Sequence, residues 1–225
     1  MTNRKQGGYW LRAVSAPLLL AMVGAGCVAV SPKDYTKFRQ SDPHSILIVP
    51  GINNSPEVGA ENYFLATVSL PLAERGFYVF PVNMTKELLT EAGLDDAGLV
   101  HQASPARLGE LFGADSILYI SIDNWEAKYV VLNTIVTVGF SYSLKDASSG
   151  EEIWSHHEVM KYSPQNQDTG NLIGNLIVAA VSAAITKAAP NYIPLARQAN
   201  SNAFQAPGQG IPPGPHHPEY GKNSP

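Results

Sequence analysis

The chain has 225 residues, 44% of them hydrophobic and 15% charged, which is room for one domain of ordinary size with or without tails. Lys and Arg number 15 against 19 Asp and Glu, a formal net charge of −4, so no basic excess exists to neutralise phosphates and nucleic-acid binding is disfavoured. The single cysteine, Cys27, excludes an internal disulfide framework and a cysteine-built zinc cluster.

Arg4, Lys5 and Arg12 make a basic start, with no acidic residue before Asp34. Ala13 to Val23 is then apolar apart from Ser15 and Pro17, a stretch too short to cross a bilayer as a helix but suited to the core of a secretion signal. It ends in Gly24-Ala25-Gly26-Cys27. Small residues before a cysteine are similar to the bacterial lipobox, in which the thiol is acylated and the chain is cut just before it. Gly24 stands where that pattern prefers Leu or Val. Cleavage after Ala25 by the small-residue rule of ordinary secretion is a second reading, and a buried thiol in a membrane helix a third. The lipobox reading makes residues 1–26 a signal peptide and Cys27 the lipidation site. Each buried methylene contributes about 0.8 kcal/mol, so two or three acyl chains hold a protein where one would not. In lipoproteins of this class an aspartate after the cysteine goes with retention in the inner membrane. Val28 stands there, which favours an outer-membrane anchor and a periplasmic domain. Residues 1–26 hold three of the 15 basic residues and none of the 19 acidic ones, so the mature chain carries a net charge of −7. It has no excess charge with which to bind anionic lipid.

Residues 27–44 read as a tether, 45–195 as one folded domain and 196–225 as a disordered Pro- and Gly-rich tail. From Pro190 to the end lie 8 of the 17 prolines. Within the domain, Ser45 to Val49 is a continuous apolar run closed by Pro50-Gly51, as a buried central strand requires. Asn62 to Arg75 carries Phe64, Val68 and Leu72 at helical spacing, with Gly76 to end it and Pro71 to kink or split it. Phe77 to Val82 is predicted as a strand and Thr85 to Ala92 as a short helix closed by Gly93. Ser104-Pro105 supplies an N-cap and first turn for a helix bearing Leu108, Leu111 and Phe112, stopped by Gly113.

Asp115 to Trp125 alternates, with Leu118, Ile120 and Ile122 on one face and Tyr119, Ser121 and Asp123 on the other. Asn133 to Leu144 alternates again. Lys145 to Gly150 reads as a hairpin loop and Glu152 to Tyr162 as the returning strand. A last helix is predicted over Asn171 to Ala188. Its Ala179, Ala180, Ala183 and Ala184 form a small-residue face for packing on the domain's own sheet or on another subunit. These elements predict an α/β fold: a mixed sheet with a three-stranded antiparallel meander and helices packed on it.

Three segments carry a resemblance. Leu72-Ala73-Glu74-Arg75-Gly76-Phe77-Tyr78-Val79-Phe80, Gly113-Ala114-Asp115-Ser116-Ile117-Leu118-Tyr119-Ile120 and Leu144-Lys145-Asp146-Ala147-Ser148-Ser149-Gly150-Glu151-Glu152-Ile153-Trp154 resemble, in this order, the periplasmic domain shared by the TolB amino-terminal domain and CsgG-like lipoproteins. With the lipobox and the Val49 to Ser55 segment, the chain is most similar to a family of bacterial lipoproteins, the GNA-type lipoproteins of unknown function. The resemblance spans about residues 20–190. It implies a sandwich like the TolB amino-terminal domain, service in envelope assembly or transport, CsgG-like lipoproteins among the partners, and no catalytic residues to carry over. The hairpin loops near Lys128 and Asp146 are too short for the membrane-inserting hairpins of the CsgG pore.

The chemistry-bearing residues are few. Ser141 in Gly139-Phe140-Ser141-Tyr142-Ser143 begins like a nucleophile elbow, but Ser143 stands where the second glycine belongs and the residue sits in an alternating strand. In His156-His157-Glu158 only His156 and Glu158 share a face, short of the three or four ligands zinc needs. His216-His217 falls in the tail and reads as solvated. The loop from Gly51 to Gly59, with Asn53, Asn54, Ser55 and Glu57, follows the first strand where α/β sheets often bind ligands, although Asn also suits the positive φ of a turn. It lacks the Lys-Ser/Thr ending of a phosphate loop. The expected role is a lipid-anchored periplasmic accessory or scaffold protein, with no cofactor, acting through envelope proteins and open to a homo-oligomer. A binding module for a small envelope ligand at the 51–59 loop is the alternative, and an enzyme is not expected.

Overall fold

A computed structural model of the chain describes residues 33–130, 133–163, 179 and 192–222. In chain order these form α1 (Thr36–Ser41), β1 (Ser45–Ile48), β2 (Ile52–Asn53), α2 (Ala60–Glu74), β3 (Tyr78–Val79), α3 (Val82–Glu91), α4 (Ala97–Gln102), α5 (Pro105–Phe112), β4 (Ser116–Val130), β5 (Asn133–Asp146), β6 (Glu152–Tyr162) and α6 (Ile193–Gln205). The mixed sheet runs β3-β1-β4-β5-β6. β1 is parallel to β3 and β4, whereas β4, β5 and β6 form the antiparallel meander. Pro50 has no N–H to give the ladder, so β1 stops, and the chain rejoins β4 two residues on as β2, opposite Ser121 and Ile122.

One face of the sheet is covered by α1, α2 and α6. Phe64, Val68 and Leu72 of α2 are fully buried there against Ile48, Ile120 and Phe140 of the strands. Full burial of such side chains contributes about 1.5–3 kcal/mol each. Pro71 does not divide α2: it falls in the last turn, is itself buried, and costs only the bond to the Thr67 carbonyl. Gly76 follows in the left-handed region, φ 86°. On the opposite face, among the described residues, the cover lies over β1 and the start of β4, where Leu89, Val100 and Leu108 of α3, α4 and α5 bury Leu47, Val49 and Ile117.

The alternation in β4 holds to Ile122 and then shifts. A bulge at Asp123 pairs Asn124 with Gly139, so Trp125 lands on the same face as Ile122 and joins the core. A side chain at position 139 would collide with Asn124 Oδ1 at 2.7 Å. Two predicted elements move. β3 ends at Val79, and α3 begins at Val82 after Pro81, whose φ of −60° suits a helix entry. Ser104 holds the N-cap position of α5 without a side-chain capping bond, and Pro105 alone sets the first turn.

The two ends of the domain differ most from expectation. The 27–44 tether contains α1, whose Phe38 is buried against Phe77. Residues 196–225, expected to be disordered, are ordered through Lys222. α6 buries Leu195, Ala199, Ala203 and Phe204, and Ile211 beyond it is fully buried. The Pro- and Gly-rich segment that follows acts as a row of acceptors. Arg75 donates to the Ile211 carbonyl, Tyr35 Oη to that of Gly210 at 2.7 Å and Trp154 Nε1 to that of Gln209 at 3.2 Å. Gly214 N–H closes back on the Arg75 carbonyl at 2.7 Å. The predicted 171–188 helix and its alanine face lie outside the described residues, apart from Ala179.

Candidate functional site

The 51–59 loop brings its four candidate residues together around one another. Asn53 Oδ1 accepts from Ser55 N–H at 3.0 Å and Ser55 Oγ at 2.7 Å, and its amide donates to the Glu57 carbonyl at 2.8 Å. Glu57 Oε1 accepts from Gly59 N–H at 3.0 Å, at the entry to α2. Asn54 is tied to β4, its N–H donating to the Ile122 carbonyl at 2.9 Å and its amide to Ser121 Oγ at 2.8 Å. Neither asparagine uses a positive φ; among the described non-glycine residues only Asp42 does, at 43°. These groups shape the turn and leave little hydrogen-bonding capacity for a ligand.

From Asn54 a polar row crosses β4, β5 and β6 on the face opposite α6. Ser121, Ser141 and His157 stand directly opposite one another on β4, β5 and β6. Ser121 Oγ donates to Asp123 Oδ1 at 2.8 Å and Ser141 Oγ to Asp123 Oδ2 at 2.5 Å. His157 Nδ1 lies 3.0 Å from Ser141 Oγ and 3.6 Å from Asp123 Oδ2. The three residue types are those of a serine hydrolase, but the wiring is not. The serine proton goes to the carboxylate, so the imidazole is the donor to Ser141 rather than the base that takes its proton. Ser141 also lies within β5, without the strand-to-helix turn that exposes a nucleophile.

A second cluster lies at the outer edge of β6. Lys33 Nζ donates to the Ser155 carbonyl, stands 3.3 Å from His156 Nδ1 and sits 4.9 Å above the Trp154 ring. Burial lowers the pKa of this ammonium, while Glu152 raises it. His156 stacks on Trp154, ring centroids 5.9 Å apart, and its Nε2 is 3.2 Å from Glu158 Oε2. With the ammonium donating to Nδ1, Nε2 carries the proton and donates to Glu158. No group of three or more metal-ligating side chains occurs among the described residues. Glu158 forms one wall of an open groove of about 460 Å³, and Gln198, Ser201, Asn202 and Gln205 of α6 form the other.

Two further sites escaped the sequence reading. A cavity of about 370 Å³ is lined by Asp42, His44, Asp115 and Asp146. Its carboxylates are already engaged: Asp115 accepts from Ser45 Oγ at 2.8 Å, Asp146 from Ser41 Oγ at 2.6 Å and Asp42 from Tyr220 Oη at 2.7 Å. Above β4, His101 Nε2 meets the Pro50 carbonyl at 3.0 Å, and burial lowers its pKa, which keeps the imidazole neutral. Its ring packs edge-on against Tyr119, whose hydroxyl burial pushes up to about 12. Cys27 lies outside the described residues. His216 and His217 are placed by their backbone against Gly76.

The family model described as "Putative lipoprotein GNA1162-like" matches residues 33–216. A curated relative, "Putative lipoprotein NMB1124/NMB1162" of Neisseria meningitidis serogroup B, is 37% identical over 149 residues, 66% of this chain and 69% of its own length. The crystal structure of lipoprotein GNA1162 from Neisseria meningitidis aligns with a TM-score of 0.54 and 33% identity, over 63% of this chain and 96% of that one. A PelC dodecamer from Paraburkholderia phytofirmans aligns at a TM-score of 0.47 and 13% identity, over 80% of this chain and 96% of that one. That likeness is too low to carry a conclusion about assembly.

Proposed function

We propose, for a chain that belongs to the GNA1162-like family of lipoproteins, a role as an accessory or scaffold protein of the cell envelope that works by protein–protein contact. Acylated Cys27 anchors it, and Val28 directs it to the outer membrane with its domain in the periplasm. The family places the chain among membrane-anchored envelope lipoproteins; the anchor residue, the membrane and the contact role are the proposed parts. The observation that supports contact over small-molecule binding is the edge of β6, which among the described residues pairs with no further strand. It presents a long strand edge and, against α6, an open groove, whereas the 51–59 loop spends its polar groups on itself. Open polar surface of this kind suits a macromolecular partner better than a small ligand, which favours an enclosed apolar pocket.

The test is to extract the full-length lipoprotein in mild detergent, crosslink it gently and measure native mass and composition. A stoichiometric complex with other envelope proteins, or a defined homo-oligomer, is the expected result; a clean monomer sinks the contact role. Mass spectrometry of the amino-terminal peptide tests the anchor separately. An acylated Cys27 is expected, and release of the Cys27→Ala chain from the membrane fraction.

A further inference from the structure

Among the described residues β6 is the last strand of the sheet, and its outer backbone can be assigned residue by residue. The Ser155 carbonyl accepts from Lys33 Nζ and therefore points away from β5. In a strand the N–H and C=O of one residue point to one side and those of the next to the other. The register of β6 on β5 is unbroken from Ser155 to Tyr162. His157, Val159 and Lys161 thus also turn their backbone groups outward, and no backbone group of the described residues bonds to them there.

The amino-terminal segment guards only the first part of this edge, with Lys33 on Ser155 and Lys37 3.4 Å from Glu151. Lysines placed this way blunt a strand edge against unwanted pairing. Beyond them no described residue covers the edge, and Val159 is 42% exposed. The two sides of the open stretch differ in chemistry. Glu158 faces the groove and, among the described residues, is the one charged side chain lining it, opposite the neutral Gln198, Ser201 and Asn202. His157, Val159 and Lys161 share the other face with Ser141, Gly139 and Thr137 of β5.

We propose that His157–Lys161 is a strand-addition site for an extended segment of a partner protein. The segment pairs antiparallel with β6, sets a basic side chain over Glu158, and sets acidic side chains opposite Lys161 and His157. This rests on the contact role above and names its surface. An edge strand beside a helix-walled groove is the arrangement in which main-chain bonds supply affinity and alternate side chains supply specificity. A second copy of β6 is a poorer occupant. Pairing through the same outward groups would set Val159 against Val159 and His157 against the other copy's Lys161, with nothing basic over Glu158. Charge complementarity therefore selects a different strand.

The test uses the full-length chain and two capped heptapeptides: Thr-Glu-Thr-Val-Lys-Glu-Thr, written for this pattern, and its charge-swapped counterpart Thr-Lys-Thr-Val-Glu-Lys-Thr. The first peptide is expected to slow hydrogen exchange within 157–161 and to bind roughly tenfold or more tightly than the second, about one good contact's worth. Val159→Pro removes an outward N–H and no bond to β5, so it should keep the fold and lose the binding. Glu158→Lys combined with Lys161→Glu inverts both charges and should reverse the preference between the peptides, which no general loss of structure could do. Binding of neither peptide, equal binding of both, protection elsewhere, or unchanged binding by folded Val159→Pro overturns the site; if that variant misfolds, the double charge reversal decides. A crosslinked envelope complex that survives Val159→Pro would overturn the site and leave the contact role standing. Absence of any complex with the unmodified chain would remove the contact role itself. A defined dimer that Val159→Pro abolishes, with no peptide bound, would replace the partner segment by a second copy.

Discussion

On the covered face of the sheet, Tyr142 donates to Asn200 Oδ1 at 2.6 Å and Asn200 Nδ2 donates to Thr67 Oγ1 at 2.8 Å. All three residues are buried, and burial pushes the Tyr142 hydroxyl well above its ordinary pKa. On the opposite face, over β4 to β6, Ser121, Asp123, Ser141 and His157 make a chain of similar length in reach of water, with the His157 side chain 58% exposed. The buried chain pins β5, α6 and α2 to one another, and each link that is removed leaves an orphan that water cannot reach. The exposed chain loses a link and gains a water molecule. Polar residues on the first face specify the packing, and those on the second set the character of a surface.

The largest expected effect breaks the cover of the first face. Deleting residues 206–225 removes Ile211 from its site and takes the acceptors away from Arg75, Tyr35 and Trp154. Emptying a buried isoleucine site costs about 2–5 kcal/mol, and the three part-buried donors turn to water once the segment is gone, so a loss on the order of 4 kcal/mol is expected. Urea unfolding of the two chains measures it; coincident midpoints would return this segment to a loose tail. Next in size, Tyr142→Phe orphans Asn200 Oδ1 and should cost about 1–3 kcal/mol. Adding Asn200→Leu should restore part of the loss, because removing both partners leaves less unsatisfied than removing one. A double variant as weak as the sum of the single ones would show that the pair does not act as a unit.

The difference between the faces also marks what could be read from the chain. Period-two alternation gave β4, β5 and β6, since their faces differ in burial, and the apolar run gave β1. The Asp146 to Gly150 turn was legible from its composition. Bulges were not. Counting back from the Asp146–Glu151 turn would set Ser141 opposite His156, but the irregularity between Leu144 and Lys145 moves the register by one and sets it opposite His157. Every candidate contact across β5 and β6 depends on that shift. The terminal segments were misjudged for another reason. Phe38 and Ile211 are lone apolar residues among polar and proline-rich neighbours, so no periodicity announces them, yet each fills a buried site. α4 was missed because it spans only Ala97–Gln102 and depends on Asp96 Oδ1 accepting from Gly98 and Leu99 N–H at 2.8 and 3.2 Å. In the 51–59 loop the residue types were visible, but not that they would bond to one another.

A third prediction concerns Asp146, where β5 turns into the hairpin and meets α1. Burial alone would raise its carboxyl pKa, but bonds from Ser41, Ser148 and Ser149 outweigh this and hold it below the ordinary 3.8. A carboxyl lowered on folding stabilises the fold above its unfolded pKa and loses that contribution as the pH falls towards the folded value. The stability gap between the unmodified chain and Asp146→Asn should therefore be widest near neutrality and narrow as urea midpoints are taken from pH 5 towards pH 2. A gap that stays constant would mean that the serine bonds do not favour the charged form.

The smallest expected effect is on the open face, and it is the sharpest check on the contrast drawn between the two. Ser141→Ala deletes the donor to Asp123 Oδ2 and the neighbour of His157 Nδ1 in one step. Were this row wired like the buried one, it should cost as much as Tyr142→Phe. Because water reaches Asp123 and His157, a change within about 0.5 kcal/mol is expected, as for surface substitutions in general. His157→Ala should be as mild, since its ring is mostly exposed and its backbone ladder is unaffected. A cost above 1 kcal/mol for either would mean that the row is shielded from water, and so that something covers the β5–β6 half of the sheet.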